Sequence, residues 1–153
     1  MSDVTMNDEC VLYYDWLADS ATTSHICNAR DAFIAYEAIN PIPIKGVGNI
    51  QAHAKGRGSV KLISYCDGNK YTLLLENVLH VPGNSTNLIS LGRWDRDGRR
   101  YEGCNGALTL FTKDRVSVAH GTKIANNLYK MNFKICKDQI HAEHTYASAK
   151  PES

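Results

Sequence analysis

One stretch, Trp16-Leu17-Ala18-Asp19-Ser20-Ala21-Thr22-Thr23-Ser24, constrains this chain more than any other. An apolar segment anchored by a tryptophan runs directly into an aspartate, and only small or hydroxylated residues follow. A carboxylate at the end of a buried strand is costly to desolvate, so it must be held by hydrogen-bond donors. Small residues keep the following turn narrow, and their hydroxyls lie within reach of the carboxylate. The pattern predicts a strand that ends at Asp19 and a tight turn that presents its side chain. The chemistry it suits best is one in which two such turns meet and two carboxylates share a proton.

The remainder reads mostly as β structure. Residues 10–18 are rich in strand formers, and residues 31–36 read as either a short helix or a turn before a strand. Between residues 41 and 58, two β-type arms flank Gly46-Val47-Gly48-Asn49, which predicts a hairpin whose tip tolerates positive φ and can flex. Residues 59–64 and 71–81 continue in strand period on either side of the turn residues Cys66-Asp67-Gly68-Asn69-Lys70. The apolar residues Leu88, Leu91 and Trp94 share a helical face and predict the chain's single clear helix. Residues 107–111, 116–119 and 127–133 complete the expected strands. Residues 1–9 and 135–153 read as a polar lead-in and a linker or tail around a domain at 10–134.

Composition narrows the function classes. With 17.0 kDa and a formal charge of +1, the chain is expected to be a single domain, without the global field that a polyanion partner or a membrane surface would favour. No nucleic-acid partner is expected. Five cysteines, widely spaced and odd in number, read as reduced thiols. No signal-peptide pattern and no run of about 20 apolar residues occurs, so an intracellular location is expected. His25 with Cys27, and His141 with His144, each lack a second ligand pair at zinc spacing, so no metal site is expected. Gly46-Val47-Gly48 is too short for a phosphate loop, and no serine or cysteine sits in a nucleophile elbow.

The order of these features resembles a retropepsin subunit, and more closely the protease region of copia-type retrotransposon Gag-Pol polyproteins. There a tryptophan-bearing strand leads into Asp-Ser-Gly-Ala-Thr-x-His, matched here by Trp16 and by Asp19-Ser20-Ala21-Thr22-Thr23-Ser24-His25. Asn77-Val78-Leu79-His80-Val81-Pro82, then Asn87-Leu88-Ile89-Ser90, is similar to that group's "NVLYVP … NLLS" stretch, and Asn127-Leu128-Tyr129 to its closing "GLY" strand.

The resemblance implies an all-β, closed barrel or sandwich with one short helix and additional C-terminal strands. It implies Asp19 as the catalytic carboxylate, Ser20 and Ala21 as the residues that brace paired loops, and Gly46, Val47, Gly48 and Asn49 as the substrate-binding flap. Leu91-Gly92-Arg93 matches the helix-opening motif beneath the site. One chain supplies one such aspartate, so the implied enzyme is a homodimer that cleaves a polyprotein, in the cytoplasm or a virus-like particle, without a cofactor. Ala21 replaces the family glycine that lets the two loops approach. A second reading therefore stands beside the first: a noncatalytic β-barrel module that binds protein or RNA.

Overall fold

The computed structural model describes residues 11–12, 16–45, 51–133 and 135–136. The order is β1 (Val11–Leu12), β2 (Trp16–Asp19), β3 (Ile26–Cys27), a turn of 3-10 helix at Arg30–Ala32, β4 (Phe33–Lys45), β5 (Gln51–Cys66) and β6 (Asn69–His80). It continues with β7 (Asn87–Ser90), α1 (Leu91–Arg96), β8 (Arg100–Cys104), β9 (Ala107–Phe111), β10 (Ser117–Ala125), β11 (Leu128–Met131) and β12 (Ile135–Cys136). Ten strands form one sheet in the order β4-β5-β6-β3-β7-β2-β11-β10-β9-β8.

The expectation of an all-β domain with one short helix holds, whereas the ladder is open, with β4 and β8 at its edges, rather than a continuous ring of hydrogen-bonded strands. A separate two-stranded ladder pairs β1 with β12, so strand structure includes two residues beyond the expected boundary at 134. No helix among the described residues is long and apolar enough to cross a membrane.

Two hairpins are set by local chemistry. Asp67 and Gly68 carry φ of 54° and 85°, and Asn105 and Gly106 carry 52° and 83°. Consecutive positive φ values match the right-handed twist of paired strands, and Asp-Gly and Asn-Gly adopt them at least cost. The first turn joins β5 to β6 and the second joins β8 to β9. β8 is exposed along its whole length, so its residues carry no inward-outward alternation to mark it as a strand. The Asn105-Gly106 dipeptide was the available signal.

Residues 31–36 resolve into the 3-10 turn and the start of β4. The stretch read as one helix at 87–94 divides in two. Residues Asn87–Ser90 are a strand buried on both faces, because β7 lies between β3 and β2 and has apolar clusters on either side. Ile89 packs into the larger cluster with Trp16, Trp94 and Leu110, and Leu88 into the smaller one with Ile26, Ala54 and Val81. A strand buried on both faces loses its period of two, and spacing alone cannot tell it from a helix. The helix begins at Leu91, where the Ser90 hydroxyl accepts the Arg93 N–H at 3.1 Å as its N-cap.

Candidate active site

Asp19 is the last residue of β2, held between two neighbours of opposite direction: it stands opposite Ser90 of parallel β7 and opposite Leu128 of antiparallel β11. It is only 6% exposed, and it is the one buried acidic side chain among the described residues. The backbone N–H of Ala21 donates to its Oδ1 at 2.7 Å. This short bond to a charged acceptor fixes the carboxylate within its own turn. Among the described residues, Oδ2 takes no hydrogen bond.

The two residues after Asp19 have separate tasks. The Ser20 N–H donates to the Asn127 carbonyl at 3.1 Å, and the Ser20 hydroxyl donates to Asn127 Oδ1 at 3.0 Å. Within one chain, Ser20 thus ties its turn to the one that opens β11, where Asn127 has φ of 69°. Ala21 is exposed and lies outside the positive-φ set, so in a single chain its methyl group costs no backbone strain.

Ser90 and His25 organise the turn from below. The Ser90 hydroxyl donates to the Thr22 carbonyl at 2.8 Å while capping α1, and its N–H donates to His25 Nδ1 at 3.0 Å. His25 is buried, and burial, reinforced by the nearby Arg93 and Arg99 charges, pulls its pKa down to about 3. A neutral ring with its proton on Nε2 is the form that can accept the Ser90 N–H. His25 is therefore an acceptor that joins the Asp19 turn to β7. Cys27 lies in β3 as a free thiol pushed up to about 11 by burial, a packing residue rather than a nucleophile.

Gly46, Val47, Gly48 and Asn49 lie outside the described residues, although the arms on either side pair antiparallel as far as Lys45 opposite Gln51. Leu91, Gly92 and Arg93 open α1, with Leu91 buried in the larger apolar cluster. Sequence reasoning assigned no role to Ser90 or to the bond that His25 makes. The signal for Ser90 was a serine, a preferred N-cap residue, immediately before Leu91, obscured because the helix was expected to begin earlier.

These features define a β domain that carries one buried, backbone-held carboxylate where a parallel strand pair meets a helix start. Residues 16–99 match the family described as "Pol polyprotein, beta-barrel domain", and the chain belongs to that family. It is also 30% identical over 128 residues to the "Retrovirus-related Pol polyprotein from transposon TNT 1-94" of Nicotiana tabacum. That alignment covers 84% of this chain and 9% of the relative. No solved structure matches.

Proposed function

We propose that this domain is half of an aspartic endopeptidase that processes a retroelement polyprotein, with the active site formed by Asp19 from each of two copies. The observation that carries the reading is the Asp19 carboxylate, buried at a strand end and braced by the Ala21 N–H with Oδ2 left for a partner. Two like charges brought together cannot both ionise without penalty, so the pair holds one proton and titrates as a unit. The ionised member takes a proton from water as the water oxygen attacks the peptide carbonyl carbon, and the protonated member gives its proton to the carbonyl oxygen. Collapse of that intermediate breaks the C–N bond and returns a proton to the amine. The chemistry needs no cofactor.

The substrate is an extended polypeptide, and residues Gly46 to Asn49, at the junction of β4 and β5, would cover it with backbone donors. We also read the sheet as the retropepsin barrel, since Asn132 Nδ2 donates to the Tyr65 carbonyl at 3.2 Å and brings chain beyond β11 against β5. Ala21 then matters only where two copies meet, and Ala21→Gly is expected to raise turnover by easing that approach.

The test is cleavage of a peptide spanning a polyprotein junction by wild type and by Asp19→Asn, with oligomeric state measured on the same samples. Cleavage by wild-type dimers and none by the variant is expected. Equal cleavage by the two proteins, or full activity in a sample that sediments only as monomer, overturns the reading. A folded wild-type dimer that cleaves nothing leaves the noncatalytic binding module.

A further inference from the structure

A second cluster of reactive side chains forms at the opposite kind of place, where two strands that share no ladder come together. Cys66 ends β5 and Asp67 begins the turn to β6, whereas His120 lies in β10; β5 and β10 are second and eighth in the sheet order. Cys66 Sγ lies 3.1 Å from His120 Nε2 and 3.7 Å from Asp67 Oδ2, and His120 Nε2 lies 3.8 Å from Asp67 Oδ1. One donor atom from each of the three residues falls within 4.8 Å of both others.

We propose that Cys66, Asp67 and His120 form a binding site for a divalent transition metal of the zinc type. With Zn–S near 2.3 Å and Zn–N near 2.0–2.1 Å, tetrahedral geometry spaces such donors about 3.3–3.6 Å apart, close to the separations here. A thiol and an imidazole favour zinc over calcium or magnesium, and the carboxylate offsets the ion's charge. The surroundings orient each ligand. Thr109 Oγ1 lies 3.3 Å from His120 Nδ1, engaging the ring nitrogen that would face away from the metal. The Ser117 hydroxyl donates to Asp67 Oδ2 at 3.2 Å and lies 3.8 Å from Cys66 Sγ. Such outer hydrogen bonds fix ligand orientation and affinity.

Access is one-sided. Cys66 is 1% exposed, while the His120 and Asp67 side chains are 48% and 69% exposed. An ion would enter past His120 and Asp67 and meet the thiol at the base, with water completing the tetrahedron. Cys66 would bind the ion as a thiolate, so binding releases its thiol proton to solvent. The bound ion would staple the β5–β6 turn to β10, a connection that no backbone ladder makes.

The test is titration of the reduced, tag-free chain with cobalt(II), followed by displacement with zinc. Expected are one cobalt per chain, a thiolate-to-cobalt charge-transfer band, tetrahedral visible bands, and their loss on zinc addition. Cys66→Ser and His120→Ala are expected to weaken binding by at least about 100-fold, and Asp67→Asn by about 10-fold, on the scale of ligand and outer-shell changes. Zinc should raise the melting temperature of wild type and leave that of His120→Ala unchanged. Asp19→Asn should bind as wild type does, which separates this site from the proposed protease. A folded wild type without the charge-transfer band overturns the proposal, as does a band that persists in folded Cys66→Ser or His120→Ala. If Cys66→Ser fails to fold, His120→Ala decides alone, because its ring is half exposed.

Discussion

The two polar clusters of this domain are built by opposite means. Around Asp19, Ser90 and His25, adjacent strands β2 and β7 run parallel, and backbone amides and carbonyls supply most of the partners. Around Cys66, Asp67 and His120, distant strands are joined by side chains alone. The first cluster is buried, and its Ser90 and His25 are bound within the fold, so altering either disturbs the scaffold, whereas Asp19 keeps one carboxylate oxygen outside that network. The second is open to water at Asp67 and His120, so those two can be altered with little effect on the scaffold and a large effect on what they bind. A backbone-held carboxylate suits chemistry that requires a fixed geometry, and a side-chain cluster on separate strands suits a captured ion.

The largest effect tests the first cluster directly. Asp19→Asn should lower cleavage by about 1,000-fold or more, since an amide can neither ionise nor share a proton, and general acid–base catalysis alone contributes on the order of 100- to 10,000-fold. The melting temperature should be retained, because burying an amide costs less than burying a carboxylate. A large drop in stability would show that the carboxylate holds the scaffold rather than serving chemistry.

The next effect is a pH dependence seated in His25. Its folded pKa, about 3, lies below its ordinary value of 6.5, so the unfolded chain binds the proton more tightly. The contribution of neutral His25 to stability is therefore complete above pH 6.5 and is lost as pH falls from 6.5 toward 3. The slope from this one group is at most about 1.4 kcal/mol per pH unit. Urea midpoints measured across that range should fall with acidity in wild type and fall less in His25→Gln, which keeps an acceptor and does not titrate. Parallel curves for the two proteins would remove His25 from the account. Acid loss of fold should also limit the low-pH side of any cleavage profile.

Ser90→Ala comes third. It removes the α1 cap and the donor to the Thr22 carbonyl, and should cost about 1–2 kcal/mol in denaturant midpoint, with turnover falling further than stability as the Asp19 turn loosens. Ser117→Ala, the comparable hydroxyl deletion in the open cluster, should change stability by about 0.5 kcal/mol or less, the range of ordinary surface changes. Equal costs for the two serines would erase the distinction between a scaffold-bound cluster and an open one.

Where sequence and structure agree, the information was local. Trp16 through Asp19 reads as a strand ending in an acid because burial, strand propensity and turn chemistry coincide over a few residues. The arms around residues 46–50 read as a hairpin for the same reason, and Ala107–Phe111 falls where its alternation places it. Asn87–Ser90 was misread because burial on both faces erased its alternation, and β8 was missed because exposure on both faces did the same.

The sequence by itself determined the β class, the position of Asp19 and the chain's membership in a family whose residues stand in the same order. Only the tertiary structure could decide what Asp19 and Cys66 stand beside. Ser90 reaches the Asp19 turn across 68 residues through a parallel pairing, and His120 reaches Cys66 across 54 residues with no ladder between their strands. Spacing along a chain predicts contacts only within a helix, a strand or a hairpin, where backbone geometry sets the distance. Contacts between remote strands depend on how the whole sheet twists and packs around Trp16, Trp94 and their apolar neighbours, a property of the assembled core rather than of any one segment.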